Sequence, residues 1–268
     1  MGKNIGFIGC GNMGKAILRG LLEAQMVLPK EVMVSTKRGE TSRLLADTFG
    51  VQVAKDNGQV AHFSQVLFLG VKPFQYEDVL REIRQELKEH TLIIGMAAGI
   101  TLDKMEKILG SGHKLVKIMP NTPVMVKEGV TAMSCSNALT EEEKEVVRAL
   151  LRPISTVVDI EEKHMDVITG IAGSSPAYVY QFIEAMADAG VKNGLPRKEA
   201  YEISAKAVLG AAKMVLATGL HPGVLKDMVT SPGGTTIAAV AKLEEKGLRH
   251  AVISAVDVCV EKSKELSQ

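Results

Sequence analysis

A glycine-rich turn near the start of the chain constrains its fold more than any other feature of the sequence. Residues 4–8 form a short apolar run typical of a buried strand, and residues 15–22 carry apolar side chains at helical spacing. Between them stands the sequence GCGNMG at residues 9–14. This pattern alone is weak, but between a strand and a helix it predicts a dinucleotide-binding turn. A glycine-rich turn that binds no ligand is the alternative.

The three glycines have separate roles in the predicted turn. Gly9 permits the tight bend, Gly11 lets a pyrophosphate approach the backbone, and Gly14 lets the helix pack closely on the strand. The turn would therefore hold the pyrophosphate of a dinucleotide at the start of the helix.

Three later predicted strands end in small or conformationally restricted residues. The ends read GVKP at 70–73, MAAG at 96–99 and MPNTP at 119–123. Each is by itself an ordinary strand-to-loop transition, but beside a dinucleotide turn they predict one cofactor groove at the carboxyl edge of a sheet. The candidate cofactor-binding residues of the turn and the strand ends are Ile8, Gly9, Cys10, Gly11, Asn12, Met13, Gly70, Val71, Lys72, Pro73, Ala97 and Ala98.

The end of the second predicted strand, residues 32–34, bears on which dinucleotide is bound. An NAD site usually places an acidic residue there, about 20 residues after the turn, to bind the ribose 2′-hydroxyl. Here the strand is followed by Ser35, Thr36, Lys37 and Arg38, which offer hydroxyls and cations. These groups suit a 2′-phosphate, so NADPH is favoured and NADH is the alternative. A solvent-exposed basic turn without this role remains open.

Strand and helix signals alternate up to about residue 160. Strands are predicted at 4–8, 32–34, 51–53, 66–69, 92–94, 115–118, 129–134 and 155–159. Helices are predicted at 15–22, 40–49, from 57, 76–88, 102–109 and 140–151. Strands separated by helices imply an α/β fold with a Rossmann-type doubly wound, mostly parallel sheet. The predicted domains are 1–162, which binds the dinucleotide, and 163–268, which is all-α.

The second predicted domain carries no strand signal. The sequence SSPAY at 174–178 predicts a helix start with serine caps and an early proline. The helix that follows from Arg197 to about Thr218 is apolar over more than one face, which is typical of a buried helix. A domain of this size has little interior, so burial between two subunits is the simplest interpretation. The core of an internal helix bundle is the alternative.

A second glycine-rich segment interrupts the helices near the end of the chain. SPGGTT at 231–236 separates two helical runs, 225–229 and 237–244. Proline and glycine disfavour a helix, whereas a flexible backbone at a helix start offers free N–H groups to an anion. The segment therefore predicts an anion site with two threonine hydroxyls at its edge. A plain helix–helix turn is the alternative.

Composition excludes several other classes of protein. The chain has 268 residues, with 32 basic and 31 acidic side chains, so it carries no nucleic-acid footprint. Its apolar runs are far shorter than the ~20 residues that span a bilayer, and no membrane association is expected. The three cysteines, Cys10, Cys135 and Cys259, are scattered as in a reduced, cytoplasmic protein. The six histidines lie far apart, and no metal site is expected.

Along its whole length the chain resembles the pyrroline-5-carboxylate reductase family. The resemblance rests on IGCGNMG at 8–14, VKP at 71–73 and MPNTP at 119–123. Its most specific part is LKDMVTSPGGTT at 225–236, which is similar to the family signature. One departure is Ser175, which stands where the family usually has glycine and bears on any close backbone approach at that position.

The resemblance implies reduction of the cyclic imine 1-pyrroline-5-carboxylate to L-proline by NAD(P)H, the final step of proline biosynthesis. A protonated imine accepts hydride without a strong general acid, so the reaction needs oriented reactants and a hole for the substrate carboxylate. Thr236 is the implied catalytic residue, because its hydroxyl can hydrogen-bond the ring nitrogen. The implied substrate-binding residues are Glu162, Ser231, Gly233, Gly234, Thr235 and Thr236.

The same resemblance implies cofactor contacts and an oligomeric assembly. It places Ser35, Thr36, Lys37 and Asn57 near the adenosine half of the cofactor. The helical domain of the family dimerises, and its pairs assemble into larger rings, up to a decamer.

Two other functions remain open from the residues alone. A β-hydroxyacid dehydrogenase also joins a Rossmann domain to a helical domain, but it needs a lysine and an asparagine one helical turn apart. Here Lys192 and Asn193 are adjacent and point apart. A regulatory protein that senses NADP without turnover is the non-enzymatic alternative.

Overall fold

The computed structural model describes residues 3–267, and its first part is built on one eight-stranded sheet. Along the sheet the order is β3-β2-β1-β4-β5-β6-β7-β8. The strands are β1 Ile5–Ile8, β2 Val32–Ser35, β3 Gln52–Val53, β4 Val66–Leu69, β5 Leu92–Gly95, β6 Lys114–Pro120, β7 Gly129–Cys135 and β8 Ser155–Asp159. All pairs are parallel except β6 with β7. The predicted doubly wound, mostly parallel sheet is confirmed.

Helices connect the strands of the first part and make up the second. The first group is α1 Asn12–Glu23, α2 Gly39–Phe49, α3 Asn57–Phe63, α4 Tyr76–Ile83, α5 Leu102–Leu109, α6 Glu141–Leu151 and α7 Met165–Ile168. The second group is α8 Ser175–Lys192, α9 Arg197–Thr218, α10 Pro222–Met228, α11 Thr235–Glu245 and α12 Leu248–Ser267. No single helix in residues 3–267 could cross a bilayer, although α9 and α10 together reach the required length and composition with a bend of 119° between them.

Both faces of the sheet are covered, and the core lies in two layers. Ile5 and Phe7 of β1 belong to one apolar cluster, whereas Ile8 belongs to the other, as expected where successive side chains alternate between faces. The ring of Phe7 stacks on that of Phe68 with centroids 4.8 Å apart. Strands buried on both faces read as continuous apolar runs, which is why they were recognisable in the sequence.

The antiparallel strand β7 follows from the short connection that precedes it. A 3₁₀ turn over Thr122–Val126 and a left-handed Lys127 (φ 64°) reverse the chain directly after β6. A parallel neighbour would need a longer crossover, usually a helix. Asn121 stabilises the reversal, because its side-chain Oδ1 accepts a hydrogen bond from the N–H of Val130 at 2.9 Å.

Two predicted helix ends differ from the structure. The helix predicted over 76–88 ends at Ile83, where the Glu86 N–H bonds the Ile83 carbonyl in a tighter turn that leads the chain back to the sheet. The predicted serine cap of α8 is wrong, because the Ser174 side chain makes no capping hydrogen bond. A π-helical turn, Thr169–Gly173, runs directly into α8, and Ser174 itself has helical angles.

The chain divides into two compact units. The first contains the residues up to 173 and those from 259 onward, and the second contains 174–258. The end of α12 belongs to the first unit, where the Ser263 hydroxyl donates to Asp166 at 2.6 Å. This division lies later than the predicted boundary between domains 1–162 and 163–268.

The second unit buries little of its apolar surface within itself. In its described helices only small side chains such as Ala187 and Ala200 are buried. Large apolar side chains are instead exposed, with Leu216 at 85% and Met228 at 67%. The all-α character predicted for this part of the chain is confirmed.

Candidate functional site

The glycine-rich turn joins β1 to α1 at the carboxyl edge of the sheet. Gly9 has φ 75°, a left-handed angle that favours glycine, and its N–H donates to the Ser35 carbonyl at 2.8 Å. The Gly70 N–H donates to the Ile8 carbonyl at 2.8 Å, so the ends of β2, β1 and β4 are held together. The strand order reverses at β1, and this is where doubly wound sheets bind their ligands.

The start of α1 is open to an anion. Gly11 is the N-cap residue without a side-chain cap, and a Cβ placed on it would have no heavy atom within 4 Å. Within residues 3–267 the N–H groups of Asn12 and Met13 have no acceptor. Free N–H groups at a helix start suit a pyrophosphate, so this part of the structure fits a dinucleotide.

A cavity of about 400 Å³ lies at the ends of β1, β2 and β4. It brings together nine of the predicted cofactor residues, which are Ile8, Gly9, Ser35, Thr36, Lys37, Asn57, Gly70, Val71 and Lys72. It also contains residues that were not predicted, namely Asp56, Gln75, Asp78, Val79 and Glu82. Hydroxyl, amide, carboxylate and ammonium groups thus surround a space next to the glycine-rich turn.

The other predicted cofactor residues lie outside this cavity. Asn12 lines a neighbouring cavity of about 460 Å³. Cys10 and Met13 pack against the core, and burial raises the pKa of the Cys10 thiol to about 12, so only the backbone of Cys10 is available to a ligand. Pro73 opens a 3₁₀ turn, Pro73–Gln75. Ala97 and Ala98 lie in the loop that follows β5.

A chain of hydrogen bonds crosses the floor of the main cavity. The Ser35 hydroxyl donates to Asn57 Oδ1 at 2.8 Å, and Asn57 Nδ2 donates to Glu82 Oε2 at 2.7 Å. Glu82 therefore fixes which way the Asn57 amide points, although it stands 25 residues away in the sequence. No local pattern in the sequence marks such a partner, whereas Asp56 had a signal as the N-cap of α3.

The tip of β2 combines fixed hydroxyls with free cations. The Thr36 hydroxyl donates to the Arg38 carbonyl at 2.8 Å and lies 2.8 Å from the Ser42 hydroxyl, so it holds the turn that leads into α2. Neither Lys37 nor Arg38 forms an ion pair within the described part of the chain. Two cations without an ion-pair partner at the tip of β2 are suited to bind an anionic group such as a 2′-phosphate.

Glu162 lies in the first unit and its carboxylate has partners there. Its Oε1 accepts a hydrogen bond from the N–H of Leu102 at 2.8 Å and lies 3.5 Å from Lys117 Nζ. The Lys117 side chain is only 7% exposed. The substrate contact that the family resemblance implies for Glu162 stays a prediction, and the sequence contains no signal for the ion pair.

The segment 231–236 forms the connection between α10 and α11 in the second unit. Gly233 has φ 69°, and α11 begins at Thr235. The N–H groups of Gly233, Thr235 and Thr236 have no acceptor within residues 3–267. The N–H of Gly234 is not free for an anion, because it closes a turn by donating to the Ser231 carbonyl at 3.0 Å. In this respect the structure differs from the predicted row of free N–H groups. The predicted break between two helical runs is confirmed, and a row of free donors opens the second helix.

Comparisons with known proteins agree with this geometry. Residues 162–266 match the family described as pyrroline-5-carboxylate reductase dimerisation, and residues 4–99 match NADP oxidoreductase, coenzyme F420-dependent. The chain is 48% identical to the pyrroline-5-carboxylate reductase of Escherichia coli over 100% of both chains.

Solved structures give the same result. The pyrroline-5-carboxylate reductase of Coxiella burnetii matches with a TM-score of 0.91 and 34% identity over 100% of both chains. The pyrroline carboxylate reductase of Plasmodium falciparum, solved with NADP bound, matches with a TM-score of 0.89 and 31% identity over 99% of this chain and 98% of that one.

The strand order, the glycine turn and the cavity beside it define a dinucleotide-dependent oxidoreductase of the Rossmann type. The chain belongs to the pyrroline-5-carboxylate reductase family, whose members are NAD(P)H-dependent. The resemblance read from the motifs is confirmed. The full-length similarity favours the reductase over the β-hydroxyacid dehydrogenase and the regulatory protein.

Proposed function

We propose that this protein reduces 1-pyrroline-5-carboxylate to L-proline with hydride from NAD(P)H. The observation that carries the proposal is the start of α11, where free backbone donors and the Thr236 hydroxyl adjoin a left-handed glycine turn. Family membership over the full length of the chain supports the same reaction.

The first unit would hold the cofactor, which supplies the hydride when bound. The N–H groups at the start of α1 would bind its pyrophosphate, and Ser35, Asn57 and Lys37 would surround its adenosine half. The free charges of Lys37 and Arg38 support a preference for NADPH over NADH, because they would neutralise a 2′-phosphate.

The loop at 231–236 would bind the substrate. The substrate carboxylate is an anion, and the free N–H groups of Gly233 and Thr235 at a helix start are suited to donate hydrogen bonds to it. The Thr236 hydroxyl would hydrogen-bond the ring nitrogen and orient the imine carbon for hydride. A neutral hydroxyl suffices because a protonated imine already carries positive charge.

Assembly and location complete the proposal. The chain carries a dimerisation domain, and it would act as a homo-oligomer of at least two subunits. Dimers of this kind would combine into rings of up to ten chains. We place the enzyme in the cytoplasm, since its three cysteines are few and scattered along the sequence, as in proteins of reducing compartments.

The Thr236→Val variant tests the catalytic role of the loop. Losing one hydrogen bond in a closed site costs about 1.5–3 kcal/mol, so we expect imine turnover to fall roughly 10- to 150-fold. NADPH oxidation followed at 340 nm with the imine as substrate would measure this loss, and NADPH affinity should stay near that of the wild type.

Two matched variants serve as controls. Thr236→Ser keeps the hydroxyl and should retain most of the turnover, and Thr235→Val should lose little because only its backbone donor is used. Wild-type turnover in Thr236→Val would make the loop a structural turn and contradict the catalytic assignment. A wild-type protein that does not oxidise NADPH with the imine would refute the proposed function itself.

A further inference from the structure

The loop that follows β5, residues 96–101, contributes no residue to the cavity at the ends of β1, β2 and β4. In the sheet order, β2 and β1 lie on one side of the switch point and β4 and β5 lie on the other, and the proposed adenosine contacts Ser35 and Lys37 stand at the end of β2. A dinucleotide that crosses this point must place its nicotinamide half over the ends of β4 and β5. The loop contains the predicted cofactor residues Ala97 and Ala98 and a left-handed Gly99 (φ 77°). Its conformation therefore bears on where the reactive ring lies.

A buried tyrosine holds the first residue of this loop. The Tyr76 hydroxyl accepts a hydrogen bond from the Met96 N–H at 3.0 Å and donates to the Leu69 carbonyl at 2.7 Å. The same Met96 N–H has only a longer contact, 3.4 Å, with Leu69. Burial raises the pKa of Tyr76, so the hydroxyl stays protonated and keeps both bonds at neutral pH. Tyr76 thus ties the ends of β4 and β5 to each other.

An ion pair holds the other end of the loop. The loop leads into α5, and the N–H of Leu102, the first residue of that helix, donates to Glu162 Oε1 at 2.8 Å. Lys117 on β6 lies 3.5 Å from the same oxygen and is almost fully buried. A buried lysine needs a counter-ion, so Glu162 cannot leave Lys117 without a large cost. This requirement keeps the Glu162 carboxylate at the start of α5.

We propose that Tyr76 and the Lys117–Glu162 pair are positioning residues that fix the 96–101 loop for the nicotinamide half of the cofactor. The inference rests on the proposed cofactor site and assigns Glu162 to that loop, with Lys117 and Leu102 as its partners. None of these residues was marked for this role in the sequence, since the contacts of Tyr76 with Met96 and of Glu162 with Leu102 and Lys117 join segments far apart in the chain.

Binding measurements with two ligands test the proposal. We expect Tyr76→Phe and Lys117→Met each to weaken NADPH binding roughly five- to thirty-fold, as loss of a buried hydrogen bond or ion-pair partner does. Binding of 2′,5′-ADP, which lacks the nicotinamide half, should change less than about twofold, because its site is independent. Lys117→Arg keeps the cation and should restore wild-type NADPH affinity.

A second readout uses the protein without cofactor. Amide hydrogen exchange should become faster at Met96 in Tyr76→Phe and at Leu102 in Lys117→Met, where the acceptor is lost or released. Thr91→Val is the matched control, because the Thr91 hydroxyl donates to the Ser64 carbonyl at the opposite end of β5 (3.2 Å). It removes a buried side-chain hydrogen bond of the same kind and should change neither NADPH affinity nor exchange at Met96.

Three results would overturn the proposal. Equal weakening of NADPH and 2′,5′-ADP would mean a general loss of structure, and so would an effect of Thr91→Val as large as that of Tyr76→Phe. An increase in the imine KM with unchanged NADPH affinity in Lys117→Met would instead place Glu162 at the substrate. If Lys117→Met does not fold, Tyr76→Phe decides alone, because it removes a single oxygen. The ligand-binding and hydrogen-exchange readouts are independent of imine turnover, so a failure of the proposed reaction would be seen separately.

Discussion

Individual side chains at the end of β2 illustrate how residue chemistry selects a ligand. Ser35 and Thr36 use their hydroxyls within the protein, the first toward Asn57 and the second toward the turn before α2. Lys37 and Arg38 have no such internal partner in residues 3–267. Charges without an ion-pair partner at the tip of β2 are available to a ligand, whereas the engaged hydroxyls keep the turn in one shape.

The cofactor preference follows at this scale. Replacing Lys37 and Arg38 together by alanine should raise the KM for NADPH, because a doubly charged 2′-phosphate loses its charge-assisted partners, by roughly 10-fold or more. The KM for NADH should change little. Lys30→Ala is the control, since Lys30 lies in the turn Pro29–Glu31 before the opposite end of β2. Equal losses for both cofactors would contradict the 2′-phosphate assignment.

At the scale of elements, the two helices α6 and α8 begin in different ways. Thr140 caps α6, because its hydroxyl accepts a hydrogen bond from the Glu143 N–H at 3.3 Å. The Glu143 carboxylate in turn accepts a hydrogen bond from the Thr140 N–H at 3.0 Å. This reciprocal pair satisfies two donors that the helix itself leaves open. α8 has no such cap, because a π-helical turn directly precedes it and the chain is already helical at Ser174. A serine before a helix therefore acts as a cap only where the preceding chain is extended.

The cap of α6 predicts a loss of stability without a loss of activity. Thr140→Ala should lower the free energy of unfolding by about 1 kcal/mol, the usual contribution of an N-cap side chain. Urea unfolding followed by circular dichroism would measure it. Thr48→Ala, on the exposed surface of α2, should not destabilise the protein, because alanine favours a helix. Unchanged unfolding in Thr140→Ala would show that water replaces the cap at no cost.

At the scale of the whole molecule, the second unit presents more apolar surface than a single chain can cover. Leu209 and Leu216 are exposed at 53% and 85% on α9, and Val229 and Val258 are each exposed at 64%. Surfaces of this kind mark sites of association between proteins. The match of residues 162–266 to a dimerisation family assigns the same role to this part of the chain.

Sedimentation tests this assignment. The protein should sediment at micromolar concentration as at least twice its chain mass of 28.7 kDa. Leu209→Glu combined with Leu216→Glu should shift it toward the monomer, because a charge in an apolar interface must be desolvated. Leu44→Glu is the control, since Leu44 is an exposed leucine of the first unit, at 56%. A wild-type protein that is monomeric and fully active would contradict the assignment of this surface to dimerisation.

Local patterns of the sequence determined the fold class and suggested the main parts of the candidate site. The strand–GCGNMG–helix order, the basic tip of β2 and the broken helix at 231–236 each involve residues close together in the chain. Their chemistry depends on backbone freedom, charge and periodicity, all of which can be read within a short segment. The alternation of apolar runs with helices was enough to predict a doubly wound sheet.

Only the tertiary structure decided how distant segments meet. Glu82 fixes Asn57, Tyr76 joins the ends of β4 and β5, and Lys117 holds Glu162. The Gly234 N–H, by contrast, closes a local turn onto the Ser231 carbonyl, and a proline followed by a glycine favours such a turn. The contacts between distant segments depend on strand order and on the geometry of loops, which bring together side chains that carry no signal of one another in the sequence. Periodicity therefore predicts which face of an element is buried, while packing alone selects the partner that each polar group finds there.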